Sequence, residues 1–239
     1  MNAHHSQRRM AVPSAPNSTS KTASEPEARP GPAALGRFDA VERAVHWVNA
    51  GLFLALIGTG ALLYVAPLGA LVGRRALVEN IHVYCGLALP VPLAVAVAGR
   101  WGSALRADLG RFNRWTPGDR LWLGALTRRP AERDAVLAGV EVGKFNAGQK
   151  LNAAFTAGAG LVMLGTGAIM RWYRPWPLSW RTGATFVHDW LALAVGLVVI
   201  GHVGMALRDP DALRSMWTGR ISRRWAERHA PGWLAGRDG

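Results

Sequence analysis

The sequence predicts an all-α integral membrane protein, a four-helix bundle with cytoplasmic N- and C-termini, and three observations carry that reading. Four apolar runs of about 20 residues are present, each long enough to cross a hydrocarbon core of ~30 Å. The chain is 50% hydrophobic yet carries a formal net charge of +13 over 239 residues, which fits apolar spans separated by basic loops. The runs are even in number, and Lys and Arg crowd the segments that an even count leaves on one side of the bilayer.

The same charge does not suit nucleic acid as a partner, because the arginines are scattered between apolar runs with no binding motif. The single cysteine, Cys85, excludes a disulfide framework or a thiolate cluster within the chain. Any iron–sulfur centre must therefore come from a partner. The C-x-x-C-H attachment motif is missing, so a haem would be held without covalent links.

Residues 1–36 are rich in Ser, Pro, Ala and charge with no long apolar run, and are expected to form a disordered cytoplasmic tail. The first span is expected over 43–66, stopped by Pro67, with His46 near its start beside Trp47. The second covers 81–98, with His82 near its start and a kink at Pro90 and Pro92. The basic loop from Gly99 to Lys150 belongs in the cytoplasm, and Thr116-Pro117 with Asp119 marks a helix start inside it. The third span, 152–172, contains no histidine and leaves through WYRPWPLSW, an interfacial aromatic belt or a docking surface. The fourth covers 184–207 and carries His188 and His202; a basic cytoplasmic tail follows over 208–239. Its Arg223-Arg224-Trp225 cluster suits anionic headgroups, and His229 reads as a surface residue. The cytoplasmic (inner) membrane is the expected location, with 37–207 as the membrane domain.

His188 and His202 lie fourteen positions apart. At about 100° and ~1.5 Å per residue they share a helix face and are separated by roughly 20 Å along the axis. Topology then places His46 with His202 near the cytoplasmic surface and His82 with His188 near the outer one. Two neutral imidazoles on different helices can serve as the axial ligands of a haem iron. A bare metal is less suited, since neither pair has a cysteine or carboxylate to complete a tetrahedral site. Two haem b groups are thus expected, an inner one on His46 and His202 and an outer one on His82 and His188. A proton relay or a structural role for these histidines is the alternative.

The segment Gly143 to Lys150, GKFNAGQK, resembles the stretch before the third helix in the gamma (cytochrome b) subunit of respiratory formate dehydrogenases. RAVHW around His46, IHVYCG around His82, FVHDW around His188 and GHVGMA around His202 are similar to that family's haem-ligand sites, and GRISRRWAERHAPGW to its C-terminal end. The likeness covers about residues 37–233, and the histidine sites alone are shared with hydrogenase cytochrome b subunits and b561-type cytochromes. The resemblance implies a two-haem anchor in membrane lipid that takes electrons from an iron–sulfur beta subunit, itself fed by a molybdenum or tungsten alpha subunit, and reduces quinone. It also implies that GKFNAGQK borders the quinone pocket near His202. Asn146, Gly148, Gln149 and His202 are accordingly the expected quinone-binding residues, with Asn146 and Gln149 donating hydrogen bonds and Gly148 leaving room for the ring. On composition alone, Asn146 and Gly148 also read as an N-cap and a tight turn. A b561-like cytochrome acting alone and a non-redox proton-relay protein are the competing functions.

Overall fold

The structure, a computed structural model, describes residues 34–238; the expected disordered tail lies outside them except for its last three residues. In chain order the elements are β1 (Ala34–Gly36), α1 (Ala40–Tyr64), α2 (Ala66–Val72), α3 (Arg75–Ala88), α4 (Val91–Ala98), α5 (Ser103–Phe112), α6 (Pro117–Ala125), α7 (Pro130–Ala138), α8 (Ala147–Arg171), α9 (Leu178–Arg208), α10 (Pro210–Thr218), β2 (Arg220–Ser222), α11 (Arg223–His229) and α12 (Pro231–Asp238). Among the described residues, α1, α3 with α4, α8 and α9 are four stretches long and apolar enough to cross a membrane.

Hydropathy locates these crossings, but local capping sets their ends. Asp39 accepts from the Glu42 amide at 2.7 Å while Glu42 accepts from the Asp39 amide at 2.7 Å, so α1 starts three residues before the apolar run. Asn146 and Gln149 form the same reciprocal box and start α8 five residues earlier than expected. Pro177 precedes α9, which draws Trp180 of the aromatic loop into the helix. The second crossing breaks at Leu89 and Pro90, because proline removes a helical N–H and its ring clashes with the preceding turn. Thr116 and Asp119 cap α6 at the expected place.

The crossing helices pack as two antiparallel pairs, α1 with α3 and α8 with α9. Large apolar side chains such as Leu54, Leu161, Leu197 and Ile200 point outward at 62–73% exposure, which suits lipid rather than water. The connections α5–α7 and the segment from α10 onward lie at one end of the bundle, the end where α1 and α8 begin and α9 finishes.

That capped end has its own core. The residues after Arg208, expected as a basic tail, fold: Ile221, Trp225, Ala226, Ala230 and Leu234 are buried together. β2 pairs antiparallel with β1 in the register Leu35 opposite Ile221, so chain expected in the N-terminal tail closes the C-terminal segment. Trp225, expected at headgroups, is 6% exposed. Its Nε1 donates to both Asp209 carboxylate oxygens at 3.1 and 2.9 Å, and Arg37 lies over its ring at 4.2 Å. Burial pulls the Arg37 guanidinium down to about 10, against the opposing pull of Asp209 and Asp108. His229 is exposed and stacks on Trp225 at 4.7 Å.

Candidate functional site

The four histidines of the spans meet across the bundle in two pairs. The His82 ring on α3 and the His188 ring on α9 have centres 6.2 Å apart at 63°. The His46 ring on α1 and the His202 ring on α9 have centres 6.3 Å apart at 55°. Two imidazoles bound to one metal at about 2 Å each place their ring centres roughly 6 Å apart, so both spacings suit a shared iron. Among the described residues no three or more His, Cys, Asp or Glu side chains gather to hold a bare metal ion. Each pair thus offers two imidazoles from different helices as its donors.

The two pairs differ in what holds their rings. In the pair expected to be the outer one, Nδ1 of His82 lies 2.9 Å from the Thr59 hydroxyl of α1, and Nδ1 of His188 lies 2.9 Å from the Thr166 hydroxyl of α8. The glycine after each threonine brings backbone against the same ring: a Cβ at Gly60 would stand 3.6 Å from Cε1 of His82, and one at Gly167 3.5 Å from Cε1 of His188. Neither threonine was expected from the sequence as a site residue. The signal that would have found them is the tetrapeptide Gly-Thr-Gly-Ala, which occurs at 58–61 and again at 165–168.

In the pair expected to be the inner one, His46 has an aromatic neighbour instead. Trp47 meets His46 edge-on at 5.2 Å, stacks on Trp217 at 4.0 Å, and donates from Nε1 to the Met216 carbonyl at 3.0 Å. These contacts tie α10 to α1 beside the inner pair. One turn further along α1, the buried Asn49 Oδ1 has no hydrogen-bond partner among the described residues, leaving an acceptor on the helix side that carries His46.

GKFNAGQK is spent largely on holding the capped end together. Lys144 Nζ donates to Glu42 at 3.3 Å and to Asp108 at 2.5 Å, all three side chains buried. Phe145 stacks on Phe112 at 4.1 Å. Lys150 Nζ reaches Asp119 at 2.7 Å and the Arg114 carbonyl at 2.8 Å. Burial alone would raise the Asp119 carboxyl, but the Lys150 ammonium and the bonds from Thr116 hold it below the ordinary carboxylate range.

The expected quinone residues are thus placed as follows. Asn146 and Gln149 use their side-chain oxygens on each other's backbone amides at 2.9 and 3.0 Å, which leaves both amide nitrogens as donors. The space expected to be open at Gly148 is filled by Trp122, whose ring would stand 3.0 Å from a Cβ there, so any larger residue would push the Trp122 ring of α6 away from α8. Asn146 instead lines a cavity of about 220 Å³ with Thr116, Asp119, Trp122 and Lys150. His202 is not among that cavity's lining residues, although it lies toward the same end of the bundle.

Four apolar crossings with paired histidines between them define a multi-pass membrane cytochrome of the b type. The description Prokaryotic cytochrome b561 matches residues 37–219, and the chain belongs to that family. It is an electron-transport protein of the inner membrane that binds b-type haem. The chain is similar to the nitrate-inducible formate dehydrogenase cytochrome b556(Fdn) subunit of Escherichia coli K12, with 31% identity over 98 residues that cover 39% of this chain and 44% of that relative. The match spans less than half the length of that relative. A formate dehydrogenase cytochrome b556(fdo) subunit of the same organism is 24% identical over 206 residues, covering 82% of this chain and 90% of the relative.

Proposed function

We propose that this b561-family cytochrome is the membrane subunit of a formate-dehydrogenase-type complex, carrying electrons from an iron–sulfur subunit through two b-type haems to quinone. The observation that carries the reading is the pair of cross-bundle histidine contacts at 6.2 and 6.3 Å. His82 and His188 would hold the outer haem, and His46 and His202 the inner. Bound haem supplies one-electron carrier chemistry at each site. Because α9 gives one ligand to each pair, its rise fixes their separation at roughly 20 Å along the axis. The iron–sulfur partner and a molybdenum or tungsten catalytic subunit follow from the resemblance alone; the names of the similar proteins point only to a formate dehydrogenase of which they are the cytochrome subunit.

For quinone, the Asn146 amide nitrogen is the group best suited to a ring carbonyl. It is a donor not used by the helix cap, and it lines the cavity bounded by Trp122 on one side and the Asp119–Lys150 pair on the other. Gln149 offers a second free amide nitrogen from the same cap, and Gly148 contributes by letting Trp122 form the wall. On the expected topology this cavity faces the cytoplasm, so protons consumed with quinone would come from that side.

Haem analysis of haem-replete protein is the direct test, with two b-type haems per chain expected. His82→Ala should lose the outer haem and retain the inner. One haem per chain, or a His82→Ala protein that keeps two, would refute the pairing. Two haems without a co-purifying iron–sulfur subunit would replace the dehydrogenase reading with a cytochrome acting alone.

A further inference from the structure

We propose that Thr59 and Thr166 are positioning residues of the outer histidine pair, which fix the ring proton on Nδ1 and lower the reduction potential of that site relative to the inner one. The inference rests on the reading of His82 and His188 as axial ligands.

Each threonine hydroxyl has three partners: a histidine ring and two carbonyls of its own helix, of which the one three residues earlier is the longer contact, Thr59 to Leu56 at 3.2 Å and Thr166 to Met163 at 3.3 Å. It sits 2.9 Å from Nδ1 of the histidine on the neighbouring helix. It also donates back to the carbonyl four residues earlier, Thr59 to Ala55 at 2.6 Å and Thr166 to Val162 at 2.8 Å. A hydroxyl has one proton and two lone pairs. With the proton committed to the helix carbonyl, the oxygen can only accept from the ring. Nδ1 of both histidines therefore carries hydrogen, and Nε2 of both is left with its lone pair free to bind a metal.

The arrangement is built twice, from the same Gly-Thr-Gly-Ala in α1 and α8, and it serves the outer pair alone. The contacts described for the inner rings are aromatic: with each other and, for His46, with Trp47. A ligand histidine whose far N–H is held by an oxygen is a stronger electron donor to the metal, which favours the oxidised iron. Two such bonds at one site, and none at the other among the described residues, make the outer site the more reducing. Electrons arriving there would then run downhill toward the inner pair.

Potentiometric titration of the haem absorbance in purified, haem-replete protein tests this, with Thr59→Val, Thr166→Val, the double variant, and Thr59→Ser as rescue. The expected result is a positive shift of the lower midpoint in the double variant, about tenfold in ferric preference or ~59 mV for one electron. The upper midpoint should stay in place, and Thr59→Ser should titrate as the unaltered chain. An unmoved lower midpoint, an equal shift at both haems, or a serine variant that behaves as valine would overturn the proposal. Should valine expel the outer haem, retention of that haem by Thr59→Ser supports it and loss in both overturns it. A single midpoint from a single haem in the unaltered protein would instead refute the two-haem reading.

Discussion

Replacing Lys144 with methionine should destabilise the capped end far more than the loss of one basic loop residue would suggest. The ammonium sits between Glu42 at 3.3 Å and Asp108 at 2.5 Å, and the three residues are 8%, 7% and 3% exposed. At an effective dielectric of about 20 the Asp108 contact is worth roughly 7 kcal/mol of attraction, whereas burial and the neighbouring Asp108 push the Glu42 carboxyl up to about 7, so that it is only partly ionised at neutral pH and its contact is worth less than roughly 5 kcal/mol. Most of that is offset by the cost of taking the charges out of water. Removing one partner leaves that cost without the compensation, so Lys144→Met should lose about 3–5 kcal/mol. Asp108 still has Arg111 as a partner, which makes Glu42 the group left exposed to the penalty. Adding Glu42→Gln should therefore recover most of the loss, with a coupling energy of about 1–3 kcal/mol in the double-mutant cycle. Denaturant titration in detergent, followed by tryptophan fluorescence, reads both numbers. A Lys144→Met loss within about 0.5 kcal/mol, typical of a solvated surface change, would show that the cluster does not hold the end together.

Two further outcomes follow from the same end of the molecule. Asn146→Asp keeps the cap oxygen but removes the amide donor, so it should leave helix stability nearly unchanged and both haems reducible while slowing their reoxidation by quinone; normal reoxidation in a stopped-flow assay would remove Asn146 from the quinone site. Asp119 has a carboxyl held below its ordinary value, so the stability it gives is complete above the unfolded value of about 4 and is lost as pH falls through the lower folded value. Hydrogen exchange in α6 should accordingly be protected and flat from about pH 5 to 8 and weaken in acid, whereas Asp119→Asn should be weak throughout; an acid loss that persists in Asp119→Asn would assign it to another group.

The four crossings and the histidine pairs were legible because each rests on a period that one sequence contains. An apolar run reports a span, and fourteen residues between His188 and His202 report a shared face. The employment of the lysines was not legible. Lys144 and Lys150 read as part of the charge that sets membrane sidedness, but Lys144 is paired with Glu42, 102 positions away, and no local pattern announces such a contact. The C-terminal core escaped for a related reason. Its apolar residues are few and interrupted by Arg223, Arg224 and Arg228, and they become a core only when β1 and the Asp209 carboxylate arrive from elsewhere. The Gly-Thr-Gly-Ala repeat was visible, yet its small residues read equally well as helix packing until each histidine was set against its threonine.

These contacts give the two ends of the bundle different mechanical characters. Thr59 and Thr166 each hold the outer histidine of the neighbouring helix, so the outer pair is positioned within the two helix pairs themselves. Among the described residues the His46–His202 pair has no hydroxyl of this kind against its rings. His202 is exposed on α9, and His46 is steadied through Trp47 by α10, a helix outside the crossings. Its geometry therefore depends on the capped end, where Lys144 ties α1 to α5 and Lys150 ties α8 to α6. GKFNAGQK can accordingly matter to the His46–His202 pair from a distance: its lysines fix the helices on which that pair and the Asn146 cavity are carried.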